Sequence, residues 1–156
     1  MFSGKKEGNL APLKDTESRE PKLGRVRGMV IPNVQADELE AVSDFIAQNT
    51  TNDEIVFTYP ELGTYSFLID RPFLGRFPIA TFSWFHPRWH KELMIDLQEK
   101  KPRFIIVQKE FSSQWKMVYL TPSENRTKYE AVLKFIYAHY RLKLTAPKSY
   151  IYELKD

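Results

Sequence analysis

Two rhythms of apolar and polar positions run along this chain, and the places where one gives way to the other mark its elements. Within residues 37–48, Leu39, Val42, Phe45 and Ile46 fall on one stripe of a helix. Asp37 and Glu38 stand in its expected first turn, where the positive end of the helix dipole favours acids. Residues 87–99 repeat the pattern with Trp89, Leu93, Met94 and Leu97. Thr121-Pro122-Ser123-Glu124 reads as a helix start: a capping Thr, a proline in the first turn and a Glu that closes a capping box. The helix it opens reaches Tyr140, with Tyr129, Val132, Leu133 and Ile136 facing inward.

Ile55-Val56-Phe57 and Phe104-Ile105-Ile106-Val107 are unbroken apolar runs, the mark of strands covered on both faces. Residues 25–31 end apolar, stop at Pro32, and read as a first strand. Residues 76–82 read as another, at an edge because of Pro78. Residues 60–70 predict a short helix closed by Arg71-Pro72, and residues 111–120 fit either a short helix or a strand. Segments 141–144 and 149–154, joined through Pro147, predict an antiparallel hairpin. This alternation predicts an α/β fold: a layered sandwich with a mainly parallel central sheet and a C-terminal antiparallel hairpin. Residues 1–23 are polar and lack apolar periodicity. They are expected to form a disordered leader or linker before a single domain at 24–156.

Composition changes the picture in three ways. The 156 residues are 42% hydrophobic, enough for a core, and contain no Cys, which excludes a disulfide scaffold and a Cys-ligated metal. No apolar run approaches the roughly 18 residues of a membrane span, and MFSGKKEGNL lacks the apolar centre of a secretory signal. The net charge of +3 suggests nucleic acid until its position is considered. Residues 1–27 hold seven basic and four acidic residues, so the whole surplus lies there and the rest is neutral. A nucleic-acid domain carries its basic face on the fold, so no nucleic-acid partner is expected. A basic segment beside a membrane fits the same charge.

The candidate chemistry is sparse. His86 and His90 are four apart, half of a zinc site, but His-Pro-Arg-Trp-His has no intervening Glu in the metalloprotease position and no Cys or third His nearby. A helix cap and a surface imidazole are the expected roles, and no metal is expected. There is no Gly-x-Ser-x-Gly elbow, no Gly-x-Gly-x-x-Gly and no P-loop, so no catalytic residue and no cofactor is assigned. A glycosidase carboxylate pair forms in space rather than in sequence, and nothing singles out two acids. The most informative stretch is Thr58-Tyr59-Pro60-Glu61-Leu62-Gly63-Thr64-Tyr65, directly after a buried strand. In open α/β sheets, ligands bind beyond the carboxyl ends of strands. Tyr59, Glu61 and Tyr65 are therefore expected to line a substrate site, with Asp70, Arg71 and Arg76 close behind. Tyr rings stack on sugars and Arg clamps phosphate through two hydrogen bonds. The competing account is a loop-to-helix junction with surface ion pairs that contribute little. The run Phe82-Ser83-Trp84-Phe85-His86-Pro87-Arg88-Trp89 is either core filling or a partner or lipid-headgroup surface. Asn49-Thr50-Thr51 and Asn125-Arg126-Thr127 match the glycosylation sequon.

Gly24-Arg25-Val26-Arg27-Gly28 is followed by Ala41-Val42-Ser43-Asp44-Phe45-Ile46-Ala47-Gln48-Asn49-Thr50 and Asp53-Glu54-Ile55-Val56-Phe57-Thr58-Tyr59-Pro60-Glu61. Then come Tyr65-Ser66-Phe67-Leu68-Ile69-Asp70-Arg71-Pro72, Gly75-Arg76-Phe77 and Leu97-Gln98-Glu99-Lys100-Lys101-Pro102-Arg103-Phe104-Ile105-Ile106-Val107. In order and spacing, with the closing segment 140–152, this pattern resembles the soluble C-terminal tail of polytopic GT-C-type, mannosyltransferase-like membrane glycosyltransferases. It spans about residues 24–154. The resemblance implies a domain on the extracytoplasmic face of the membrane, part of a longer protein and soluble as an isolated chain. It implies enzymes that use polyprenyl-phosphate sugars and a catalytic acid in the membrane portion, so no catalytic residue transfers to this chain. The implied role is non-catalytic: holding an acceptor or lipid-linked sugar over the active site, with the membrane portion of the same polypeptide as partner. The alternative is a stand-alone α/β domain that binds a sugar phosphate or nucleotide. A third reading is an interaction module using the Trp84 to Trp89 aromatic run.

Overall fold

The computed structural model describes residues 17–60, 63–78, 86–109 and 122–156. Strands β1 (Ser18–Arg19) and β2 (Ile31–Pro32) flank a 3₁₀ turn, Gly24–Val26. Helix α1 (Asn33–Asn49) follows, then β3 (Val56–Tyr59), α2 (Gly63–Leu68), α3 (Pro87–Lys100) and β4 (Phe104–Gln108). Helix α4 (Pro122–His139) leads into β5 (Tyr140–Thr145) and β6 (Ser149–Leu154). The main sheet has the order β3-β4-β6-β5. β3 and β4 pair in parallel, with Val56 opposite Phe104 and Tyr59 opposite Val107. β6 runs antiparallel to both β4 and β5. The α/β sandwich and its C-terminal antiparallel hairpin are therefore present, and the sheet is mixed.

The unbroken apolar runs now have their cause. Side chains alternate between the two faces of a strand. Phe57, Tyr59, Ile105 and Val107 enter one core with Leu93 and Leu97 of α3 and Val132 and Ile136 of α4. Val56, Phe104 and Ile106 enter the other with Leu39, Val42 and Ile46 of α1 and Tyr65 and Leu68 of α2. Both faces are covered, so neither strand has a polar side. Phe45, also on the α1 stripe, meets Phe104 edge-on with ring centroids 5.3 Å apart.

Several boundaries differ from the expected ones. Helix α1 starts at Asn33, four residues before Asp37, because Pro32 holds the extended N-cap position. Glu38 thus lies in the second turn and is buried, not beside the dipole at the terminus. The strand expected over residues 25–31 is a 3₁₀ turn and a loop, with only Ile31–Pro32 paired, to Ser18–Arg19. Residues 76–78 carry no strand, and the rest of that expected strand lies outside the described residues, as does segment 111–120. His86 caps α3: its Nδ1 accepts the Arg88 N–H at 3.3 Å, and Pro87 takes the first helical position. The His90 Nε2–H donates to the Lys128 carbonyl at 3.1 Å. Among the described residues, no helix is long and apolar enough to cross a membrane.

Residues 17–23, which composition assigns to a leader, are held against α1. The Arg19 guanidinium bridges Glu40, at 2.5 and 3.0 Å, and Asp37, at 2.6 Å. The Lys22 N–H donates to Glu40 at 2.6 Å, and the Asn33 N–H donates to the Glu17 carbonyl at 2.9 Å. Arg19 and the Lys22 amide hold the Glu40 carboxyl down at about 2, against an ordinary 4.5. A carboxyl depressed in the folded state stabilises it above the unfolded pKa, and that contribution is lost as pH falls through the folded one. Docking of residues 17–23 is therefore expected to be complete above about pH 4.5 and to weaken toward pH 2. Amide exchange at Arg19 and Lys22 across that range measures it, and Glu40→Gln should flatten the response. Equal protection at both ends of the range in the parent chain would contradict this.

Candidate functional site

Because β3 and β4 are parallel, their carboxyl ends open on one edge of the sheet. Four elements meet there. Helix α1 runs back along the sheet, so its first turn, with Val34 and Gln35, reaches this edge; α2 begins there after β3; β4 ends in Gln108 and Lys109; and the β5–β6 turn brings Pro147 and Lys148. Together they frame a cleft of about 590 Å³. This is the position at which open α/β sheets bind ligands.

Glu38 forms the floor. It is 1% exposed. Its Oε1 accepts the Tyr65 hydroxyl at 2.8 Å and the Ser149 hydroxyl at 2.5 Å. Its Oε2 accepts the Lys148 backbone N–H at 2.6 Å. One carboxylate thus ties α1, α2 and the hairpin turn together through three neutral donors. Burial, and then the adjacent Glu38, raise the Tyr65 hydroxyl well above its ordinary range, so it stays a donor.

Lysines form the rim. The Lys109 Nζ donates to the carbonyls of Ala146, at 2.5 Å, and Pro147, at 3.3 Å, and lies 4.9 Å from the Tyr150 ring centroid. Its backbone N–H donates to the Lys148 carbonyl at 2.9 Å. Lys109 is therefore a fixed cation, while the Lys148 side chain is exposed to solvent beside it. The first turn of α1 carries no acid and presents the positive end of a 17-residue helix to the same space. Two ammonium groups and a helix N-terminus favour an anionic group, and Gln35 and Thr64 offer hydrogen bonds to hydroxyls.

The six residues expected to share one site are dispersed. Tyr65 lines this cleft, with its ring buried and its hydroxyl on Glu38. Tyr59 is fully buried on the other face of the sheet, stacked on Tyr129 at 5.7 Å and beside Phe57. Strand alternation sends it inward, away from the edge. Asp70 and Arg71 line a second depression, beyond α2. Asp70 pairs with Arg25 at 2.6 Å. Arg71 donates to the Thr50 hydroxyl at 2.9 Å and to the carbonyls of Thr50, Ile69 and Asp70, so it anchors its own loop to the end of α1. Arg76 lies over α3, paired with Glu92 at 3.1 Å. Glu61 lies outside the described residues, as does Trp84. Trp89 is 38% exposed and meets Phe77 edge-on at 5.3 Å. Asn125 is fully buried, which closes that sequon to a modifying enzyme in the folded chain.

Glu38, Lys109, Lys148 and Ser149 were not among the expected site residues. One signal was available for Glu38: it stands four residues before Val42, on the apolar face of α1, where a carboxylate needs buried partners. The other three are brought in by the pairing of β4 with β6, which no local pattern specifies.

No family model matches the chain, and no curated protein matches it. Among solved structures, the chain is similar to the crystal structure of the C-terminal globular domain of an oligosaccharyltransferase from Archaeoglobus fulgidus. The TM-score is 0.46 and the sequence identity 14%, with 74% of this chain and 96% of that chain covered.

Proposed function

We propose that this chain is a substrate-positioning domain of a GT-C-type membrane glycosyltransferase, and that the lysine-rimmed cleft holds the phosphate of a polyprenyl-phosphate sugar. The observation that carries the proposal is the pairing of the fixed Lys109 ammonium with the open Lys148 over a braced floor, at the carboxyl edge of the parallel strands. The order of sequence segments over residues 24–154 supports the membrane-enzyme context. In this reading the domain supplies charge and orientation, and bond making belongs to the membrane portion of the same polypeptide.

The test titrates the purified chain with a short-chain, water-soluble polyprenyl-phosphate mannose and, separately, with mannose 1-phosphate, following backbone amide shifts. Saturable shifts at Gln35, Thr64 and Lys148 with the lipid-linked probe are expected. Lys148→Ala should weaken binding about tenfold, the cost of one charge-assisted hydrogen bond, with thermal stability unchanged. Equal binding of both probes would favour a stand-alone sugar-phosphate binder. No shift at the cleft with either would overturn the proposal. Fractionating the source cells with an antibody to this domain tests the context. A membrane-bound band far above 18.4 kDa is expected, and a soluble band near 18.4 kDa would contradict it.

A further inference from the structure

A second depression, of about 560 Å³, lies between the end of α1 and the loop after α2. Two phenyl rings open onto it, Phe67 at 56% and Phe73 at 41% exposed. Helix α2 buries Tyr65, Ser66 and Leu68, which leaves Phe67 on its outer side. Large rings exposed together on one concave surface point to a bound partner. The polar groups around them are planar and short. Asn52 and Asp70 stand at the rim, both exposed. Ser66 is 9% exposed and lines the depression, and its buried Oγ has no hydrogen-bond partner. An orphan buried hydroxyl calls for a missing donor or acceptor.

The charges here disfavour an anion. All the donors of Arg71 named above go to Thr50 and to its own loop, and Arg25 pairs with Asp70. Rings and planar acceptors, with no uncommitted cation among the described residues that line the depression, suit an uncharged polyol. The negative face of an aromatic ring attracts polarised C–H groups, and a carboxylate or amide takes two neighbouring hydroxyls at once. Arg25 already lies 5.2 Å from the centroid of Phe67, so Phe73 is the ring with a free approach.

We propose that this depression binds a pyranose ring of an uncharged glycan. One face of the sugar stacks on Phe73, its hydroxyls pair with Asp70 and Asn52, and Ser66 receives one at the floor. The site is separate from the lysine-rimmed cleft and stands whether or not that cleft binds phosphate.

The test uses the full chain with methyl α-D-mannopyranoside, methyl α-D-glucopyranoside and methyl α-D-galactopyranoside. These probes carry no phosphate, and any binding at the lysine-rimmed cleft would appear at Gln35, Thr64 and Lys148, apart from this depression. At least one should show saturation transfer and should shift the amides of Asn52, Phe67 and Asp70, saturating in the millimolar range. Phe73→Ala and Asp70→Gly should each weaken binding about tenfold or more. Asp70 has a φ of 52°, which glycine adopts freely, so Asp70→Gly removes the carboxylate while keeping the loop. Ser66→Ala should weaken binding while leaving thermal stability equal or higher, since it removes an orphan group. No response to any of the three glycosides, shifts confined to other surfaces, or binding that survives both Phe73→Ala and Asp70→Gly would overturn the proposal.

Discussion

Glu38→Ala is expected to destabilise the domain by about 3 kcal/mol, since the two buried hydroxyls and the part-buried Lys148 N–H are left without an acceptor at roughly 1–3 kcal/mol for each buried group. The Tyr65 hydroxyl, the Ser149 hydroxyl and the Lys148 N–H all lose their partner in one substitution. For a chain of this size the midpoint of thermal unfolding should fall by about 6 °C. Glu38→Gln keeps the volume and one acceptor oxygen but turns an amide NH₂ toward a donor, so it should fall between the parent and Glu38→Ala. Tyr65→Phe and Ser149→Ala should each cost about 1 kcal/mol. Added to Glu38→Ala they should cost less than alone, because their partner is already gone. Amide exchange should speed up first at residues 146–149, where the carboxylate holds the turn. A change within about 0.5 kcal/mol for Glu38→Ala, as at ordinary surface positions, would mean the network does not brace the cleft.

Tyr59→Ala should cost about 3–5 kcal/mol, the usual loss for a large aromatic ring deleted from a core. The ring is fully buried, stacks on Tyr129 of α4 and packs beside Phe57. Removing it leaves a cavity between β3 and the helices of the far face. Arg76→Ala is the contrast. Its pair with Glu92 is exposed, and surface pairs contribute at most about 1 kcal/mol. The two were named together as site residues, yet chemical denaturation should separate them by several-fold in free energy. If Tyr59→Ala proved as mild as Arg76→Ala, Tyr59 would have to face solvent, contrary to its place in the strand.

The distance between expectation and structure follows the range of the interactions involved. The stripe on α1, the His86 cap on α3 and the apolar runs of β3 and β4 arise from neighbours within a few residues, and each was legible. Residues 17–23 show the reverse. Their composition reads as a leader, but Arg19 meets Glu40, 21 residues away, and the segment is held. Tyr59 shows how a single position misleads. It ends a strand next to a loop, which suits a ligand site, but the parity of the strand points it into the core. Glu38 looked like a dipole-stabilised acid until Pro32 moved the helix start four residues earlier and put it in the second turn.

By itself the sequence determined the α/β class, helices α1, α3 and α4, strands β3 and β4 and the closing hairpin, and it pointed to the carboxyl edge of the parallel strands; it misread residues 25–31, which form a turn and a loop. Periodicity, caps and strand parity are local, and they act the same way wherever the chain travels. Only the tertiary structure decided which side chains share that edge. Glu38 meets Ser149 across 111 residues, and Lys109 meets Ala146 across 37, because β4 pairs with β6 in one register. A pairing of that kind is set by the packing of whole faces and leaves no mark at the positions it brings together.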